Sequence, residues 1–397
     1  MEKLFIKHNN KVSQVNLSFQ RELAARIHWE DRLIGIKGPR GVGKTTMMIQ
    51  MIKQKYKKLD NVLYCSLDDL YFTENSLVDL SEKFVSNGGK YLFLDEVHRY
   101  PNWSQEIKNI YDDLPELKVV FTGSSMLKIR DSKGDLSRRA IFYDMPGLSL
   151  REFINLNLKT NFPAYSLKEI LQNHVEIAQE LKKQFKPLVY FKEFLQFGYF
   201  PFYQEYSHTF LQRVNEIVNI TLDVDMMQIK GLNTSGLLKM KILLHIIAGL
   251  VPFKPNIVKL SERIGVNRNT LITYLKHLEE AGIINAIYSS TQGVGVLQKP
   301  EKIYLQNTCF NFALSENEPE IGTLRESFFF CMAEPKHKVS YTEKGDFMLE
   351  KKFVFEIGGK NKTAKQISGV SNSFIVADEL ETGYDRKIPL WLFGFLY

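Results

Sequence analysis

Residues 38–46 read GPRGVGKTT, preceded by Leu33-Ile34-Gly35-Ile36-Lys37 and followed by MMIQMIKQKY. The preceding run is short, apolar and strand-like, whereas Met47, Met48, Met51 and Ile52 recur at helical spacing. Strand, glycine-rich loop and helix in that order are the context a phosphate-binding loop needs. Gly38, Gly41 and Gly43 let the backbone turn tightly, so that successive N–H groups face one anion. The helix that follows adds the positive end of its dipole. Lys44 is spaced to reach the β- and γ-phosphates, and Thr45 to set its hydroxyl on Mg²⁺. Gly38, Pro39, Arg40, Gly41, Val42, Gly43, Lys44, Thr45 and Thr46 are therefore the candidate nucleotide contacts, with ATP and Mg²⁺ as the expected ligands.

Further strands frame this loop. Residues 61–67 (NVLYCSL) predict a second strand running into Asp68 and Asp69. Tyr91-Leu92-Phe93-Leu94 is a continuous apolar run of the kind found in parallel strands buried on both faces, and Asp95-Glu96 closes it. Two acids at the carboxyl end of such a strand are the expected partner motif. Asp95 would hold Mg²⁺ through its water shell, and Glu96 would orient and deprotonate an attacking water. The competing reading is a helix N-cap with an adjacent acid. A base beside the metal acid points to hydrolysis, because binding alone does not require one. Residues 118–122 (KVVFT) predict another buried strand whose tip, in an open α/β sheet, lies beside the γ-phosphate. There Thr122, Ser124 or Ser125 either senses that phosphate or caps the next helix. Upstream, residues 16–31 predict a helix leading into the first strand, with Arg21 and Arg26 on a solvated face or against nucleotide.

The chain has 397 residues, of which 44% are hydrophobic and 24% charged, proportions that fit two to four soluble globular domains. A net charge of +7 spread over that length is weak support for a polyanionic partner. Cys65, Cys309 and Cys331 have neither metal nor disulfide spacing, which suits a reducing cytoplasm. The opening MEKLFIKHNNKVSQ lacks the apolar core of a signal peptide, and the most apolar run, residues 242–253, is too short to span a bilayer. No membrane role is expected.

Residues 134–153, GDLSRRAIFYDMPGLSLREF, bring a wider resemblance into view. GPRGVGKTT, the LFLDE strand, FTGSS, and SRR ahead of PGLSLREF resemble a family of bacterial and archaeal AAA-type P-loop ATPases. In that family the P-loop domain is fused to a C-terminal domain of largely unassigned function. Its pattern of leucine, small residue, glycine and arginine aligns with Leu136-Ser137-Arg138-Arg139, which puts Arg139 on the arginine and Arg138 where glycine is usual. The resemblance implies that Arg139 is a catalytic arginine finger acting on a neighbouring copy's nucleotide, and hence a homo-oligomer. A surface salt bridge is the competing role, and Arg138 is an alternative finger.

Downstream, residues 165–185, 209–230 and 236–250 read as helices of a connector. Phe191, Phe194, Leu195 and Phe197 lie between them at near-helical spacing and read as core rather than as a base-stacking platform. Gly198-Tyr199-Phe200-Pro201 partly preserves a turn of the same ATPase family. Residues 256–287 then carry a helix–turn–helix pattern. Ile257, Leu260 and Ile264 line the first helix, Asn267 or Asn269 caps the second, and Leu271, Tyr274, Leu275 and Leu278 face inward. Arg268, Asn269, Thr273, Lys276 and His277 face outward. A wing with its tip at residues 291–295 and Lys299 and Lys302 behind it completes a winged-helix plan suited to a DNA major groove. Glu279 and Glu280 on the same helix count against phosphate contact, and winged helices also bind proteins.

The last ninety or so residues place Glu326 on a helix and Asp346 and Glu356 on neighbouring strands. That arrangement resembles the PD-(D/E)XK nuclease superfamily, which implies that the three carboxylates hold Mg²⁺. The superfamily's lysine two positions after the last acid is replaced by Gly358, leaving Lys360 or Lys362 to reach in from the loop.

The expected fold is α/β: a doubly wound parallel P-loop sheet (residues 1–155), a helical connector (156–250), a winged helix (251–310) and a small nuclease-like α/β domain (311–397). The expected activity is ATP hydrolysis by Lys44, Thr45, Asp95 and Glu96, coupled to rearrangement of C-terminal domains on DNA. The alternatives are an ATP-licensed, metal-dependent endonuclease and a slow nucleotide-switched regulatory or interaction protein.

Overall fold

The computed structural model describes every residue except 57, 124–135, 137, 229–231 and 290–297. The chain divides into two compact units, Met1–Pro146 and Gly147–Tyr397.

The first unit is a parallel sheet wrapped by helices. Its strands are β1 (Leu33–Lys37), β2 (Val62–Ser66), β3 (Tyr91–Asp95), β4 (Lys118–Gly123) and β5 (Ile141–Asp144), in the order β2-β3-β4-β1-β5. All four pairings are parallel. The inner strands carry consecutive buried apolar residues because helices cover both faces, and such strands cannot alternate. Gly35 is required where β1 passes under two rings: a Cβ there would lie 2.7 Å from Phe142 and 2.8 Å from Phe121. The helices are α1 (Glu2–Gln14), α2 (Glu22–Arg26), α3 (Lys44–Lys55), α4 (Leu77–Ser86) and α5 (Trp103–Asp113).

Two features of this unit depart from expectation. The helix predicted over residues 16–31 contracts to α2. The Gln50 amide of α3 donates to the main-chain oxygens of Asn16 (2.7 Å) and Phe19 (2.8 Å), so those carbonyls serve tertiary contacts instead of a helix. The opening residues, read above only for what they lack, form α1. Leu4, His8 and Val12 recur every fourth residue and turn one face of α1 inward. His8 Nδ1 accepts the Tyr64 N–H at 3.0 Å, which satisfies a donor on edge strand β2. Burial lowers the His8 imidazole to about 4, so it remains a neutral acceptor.

The second unit opens with α6 (Leu150–Leu158), α7 (Leu167–Lys182), α8 (Pro187–Phe197), α9 (Phe210–Ile220) and α10 (Thr234–Ala248). Phe191 and Phe194 of α8 meet the Phe328 ring edge-on at 4.8 and 5.6 Å, so these aromatics belong to the core. Buried Arg151 donates to the main-chain oxygens of Tyr397 (2.9 Å) and Phe162 (2.9 Å), tying α6 to the closing segment.

Next come α11 (Ile257–Ile264) and α12 (Arg268–Glu280). Asn256 caps α11, and Gly265 ends it at φ 64°, a conformation that favours glycine. Asn267 caps α12 by accepting the Thr270 N–H at 2.9 Å. Leu271, Ile272, Leu275 and Leu278 are buried, while Arg268 and Asn269 stand exposed. Tyr274, expected inside, is only half-buried, and Ile272 takes an inward place instead. An antiparallel pair follows, β6 (Ile284–Ile287) with β7 (Lys302–Leu305), and Phe253 adds a bridge to Ile303. The expected wing tip, residues 291–295, lies outside the described residues.

The unit closes with α13 (Thr308–Leu314), α14 (Ile321–Ala333) and a mixed sheet. Strands β8 (Val339–Ser340), β9 (Phe347–Leu349), β10 (Phe353–Gly358), β11 (Ser373–Ala377) and β12 (Lys387–Pro389) are ordered β12-β11-β10-β9-β8. β10, β11 and β12 run parallel, and β8 and β9 are antiparallel to their neighbours. Helix α14 runs from Ile321 to Ala333 and carries Glu326, as the sequence pattern suggests. No helix among the described residues is long and apolar enough to cross a membrane.

Glu279, expected to repel phosphates, is turned inward and accepts a hydrogen bond from the Tyr288 hydroxyl at 2.8 Å. Burial pushes its carboxyl up to about 7. An acid whose folded-state pKa exceeds its unfolded value stabilises the fold at low pH and loses that contribution as pH rises toward 7. Glu279→Gln should therefore leave stability nearly unchanged at pH 5. At pH 8 it should raise stability by roughly 2–3 kcal/mol, measured as the shift in urea midpoint at the two pH values.

Candidate nucleotide site

The loop between β1 and α3 turns through two glycines with positive φ, Gly41 (77°) and Gly43 (96°), which free its amides to point inward. Gly38 also admits no side chain, because a Cβ there would lie 2.2 Å from the main-chain oxygen of Met145. Lys44 is buried, with its ammonium over the loop and donating to the main-chain oxygens of Gly38 (2.8 Å) and Pro39 (2.7 Å). Val42 is buried; Thr46, expected among the contacts, is exposed at the first turn of α3.

Strand order brings the second motif to this loop. β4 lies between β1 and β3, so the carboxyl ends of all three strands converge. The Thr45 hydroxyl donates to Asp95 Oδ2 at 2.7 Å. Thr122 of β4 donates to the other carboxylate oxygen and also accepts the Glu96 N–H at 3.3 Å. The Tyr64 hydroxyl from β2 completes the set, donating to Asp95 Oδ2 at 2.9 Å while accepting from Lys11 Nζ at 3.0 Å. Burial and the Asp95 carboxylate hold the Tyr64 phenol far above its ordinary range, so it remains a donor. Asp95 is thus a buried carboxylate gripped by three hydroxyls.

Glu96 sits at φ 53°, a left-handed conformation costly for a side chain with a Cβ. Its Oε2 lies 3.7 Å from Arg40 Nη1 and 3.5 Å from His98 Nε2, and Arg40 Nη2 lies 3.3 Å from the same imidazole nitrogen. Glu96 is therefore held on the loop side of β3 by partners from both motifs. Arg139 points elsewhere: its Nε and Nη2 form a fork on Asp112 of α5 at 2.8 and 2.9 Å. The candidate sensors Ser124 and Ser125 lie outside the described residues.

Residues 30–154 match the AAA domain family. They carry an AAA-type P-loop fold. Residues 189–320 match a domain of unknown function, DUF8612. No curated protein matches the chain. Among solved structures, AMPPCP-bound DnaA from Aquifex aeolicus is 16% identical, with 65% of this chain and 85% of that one covered at a TM-score of 0.25. The Hsp104–ADP complex of S. cerevisiae is 13% identical, with 68% and 40% covered at a TM-score of 0.30. A katanin structure described for self-assembly is 13% identical, with 68% and 87% covered at a TM-score of 0.26.

Two contributors to the AAA-type site escape a reading by motif. Arg21 is buried at the start of α2, and its guanidinium donates to the main-chain oxygens of Val42 (2.6 Å) and Pro146 (2.8 Å). It braces the loop from behind. A lone arginine in a mixed-charge stretch gives no sign of this. His98 is fully buried beside Glu96, and only its position three residues past Asp95 hints at a role.

In the second unit, Glu326, Asp346 and Glu356 do come close together. Lys302 Nζ lies 2.5 Å from Glu326 Oε2 and 3.7 Å from Asp346 Oδ1. Asp346 also accepts the Ile357 N–H at 2.8 Å, and Lys362 pairs with the fully buried Glu356. Burial and the two neighbouring glutamates push the Asp346 carboxyl up to about 6. Among the described residues, no group of three or more His, Cys, Asp or Glu side chains is placed to hold a metal ion.

Replacing Arg21 with methionine should leave the Val42 and Pro146 oxygens unpaired at a cost of roughly 1–3 kcal/mol. We expect Arg21→Met to fold, with a lower melting temperature, and to bind ATP about tenfold more weakly by calorimetry. An unchanged affinity would show that the brace does not shape the loop.

Proposed function

We propose that this protein binds ATP with Mg²⁺, hydrolyses it to ADP and phosphate, and couples the nucleotide state to rearrangement of DNA-binding C-terminal domains. The observation that carries this reading is the 2.7 Å contact between Thr45 and Asp95, which joins the loop to the acidic strand end. Hydroxyl and carboxylate are hard oxygen donors, and that pair beside inward-facing amides fits Mg²⁺ bound with phosphate. Bound there, the ion would neutralise charge on the phosphate oxygens.

The residues of the chain take distinct roles. The main-chain N–H groups of residues 38–46, Pro39 having none, grip the phosphates, and Lys44 exchanges the Gly38 and Pro39 oxygens for phosphate oxygens. Thr45 and Asp95 hold the metal, and Thr122 fixes the Asp95 carboxylate. Glu96 orients a water and takes its proton, with Arg40 and His98 setting its direction. Arg139 acts as a finger on a second copy only if it leaves Asp112, so the homo-oligomer belongs to this proposal. Buried thiols at Cys65, Cys309 and Cys331 suit the cytoplasm.

Residues 251–310 form the winged helix of this reading, between a connector (156–250) and a nuclease-like domain (311–397), behind the ATPase domain (1–155). The capped α12, its exposed Arg268 and Asn269, and the inward turn of Glu279 support contact with DNA. A metal-dependent nuclease fits less well, since a lysine already stands beside each of the three carboxylates.

Steady-state ATPase of wild type, Lys44→Ala and Glu96→Gln, with and without duplex DNA, tests the reading. Lys44→Ala should abolish ATP binding, whereas Glu96→Gln should retain it and lose turnover by about 10²–10⁴-fold. A wild-type protein that gives no calorimetric heat with ATP would overturn the assignment. For the DNA arm, the double variant Arg268→Ala, Lys276→Ala should weaken duplex binding and flatten the salt dependence by a slope of about 2. Affinity insensitive to salt in the wild type would point to a protein partner instead.

A further inference from the structure

The carboxylates of the C-terminal unit converge without forming a metal site, and the side chain between two of them explains why. Lys302 lies on β7, two residues from Tyr304, and alternate residues of a strand share one face. Both side chains reach the same atom of α14: Lys302 Nζ and the Tyr304 hydroxyl each lie 2.5 Å from Glu326 Oε2. The ammonium is also 3.7 Å from Asp346 Oδ1. Lys302 is only 16% exposed, and its carboxylate partners 18% and 19%, so the cluster is largely withdrawn from water. A divalent ion needs carboxylate oxygens at about 2.0–2.6 Å, and an ammonium lodged between the same oxygens excludes it by volume and by charge. Glu356 is fully buried and paired with Lys362, so two lysines stand against the three acids. The strand face is firmly seated. The Tyr304 ring lies 6.0 Å from Phe330 and 5.8 Å from Phe347, and β7 pairs with β6 along its full length.

We propose that Lys302 is a built-in cation that occupies the Glu326–Asp346 pair and closes the C-terminal unit to divalent metal. The nuclease-like sheet is then an ion-paired structural centre joined to the β6–β7 hairpin, and metal can enter only when Lys302 leaves. This goes beyond the nucleotide reading and stands or falls independently of it.

The test is Mn²⁺ binding to the full chain without nucleotide, followed by electron paramagnetic resonance of the free ion. The proteins are wild type, Lys302→Met and the double variant Lys302→Met, Glu326→Gln, with folding checked by circular dichroism. Ions held elsewhere appear equally in all three. Wild type and the double variant should match, whereas Lys302→Met should gain one Mn²⁺ site at least about tenfold tighter than any they share. If Lys302→Met fails to fold, Lys302→Gln removes the charge with a polar end and the same gain is expected. An extra Mn²⁺ site already present in wild type, or a folded charge-removed variant that gains none, would overturn the proposal.

Discussion

The AAA-type site depends on the hydrogen bond between Thr45 and Asp95, because it spans the sheet between two motifs that are distant in sequence. It forms only if β1 and β3 end at the same level, and that level is fixed by β4 between them. The register sets Ile36 opposite Thr122 and Leu94 opposite Phe121, so the three strand ends arrive together. Thr122 occupies the middle position and binds both the Asp95 carboxylate and the Glu96 amide. A slip of one residue in β4 would turn Thr122 to the opposite face and leave Asp95 short of a donor.

Around that bond the polypeptide carries several locally unfavourable features. Glu96 adopts a left-handed conformation, Lys44 is buried, and Asp95 is withdrawn from water. Each is offset by specific partners: carbonyls for Lys44, three hydroxyls for Asp95, and Arg40 with His98 for Glu96. Groups so held need little rearrangement when an anion arrives, which is how preorganised sites stabilise developing charge. Arg21 extends the same logic behind the loop, where it supplies donors to carbonyls that a tight turn leaves free.

The second unit shows the opposite use of charge. Its carboxylates gather as a metal site would require, yet lysines and a tyrosine hydroxyl from the same chain stand against them. Phe191 and Phe194 of α8, from a run dense enough to suggest base stacking, pack edge-on against Phe328 of α14. Glu279, on the helix whose outer face carries Arg268, turns away from that face onto Tyr288. In each case burial decides between a functional and a structural role for a residue whose type permits both.

By itself the sequence determined the phosphate-binding loop, the acidic strand end and the four strands β1 to β4 around them. Those depend on local properties: glycine's freedom at positive φ and apolar runs that must be buried on both faces. It also carried the helix–turn–helix spacing and left either Lys360 or Lys362 to approach Glu356, between which the fold chose Lys362. It misjudged residues 16–31, because nothing local reveals that Gln50 captures their carbonyls; it offered Arg21 only as a solvated residue or a nucleotide contact, not as a brace behind the loop, and it gave no sign of His98 at the site. Only the tertiary structure decided those points, together with the Arg139–Asp112 fork and the seating of Lys302 among the C-terminal acids. The physical reason is common to all of them. A long polar side chain takes its role from whichever partner lies within about 3 Å after folding, and that partner is set by packing between elements far apart in the chain.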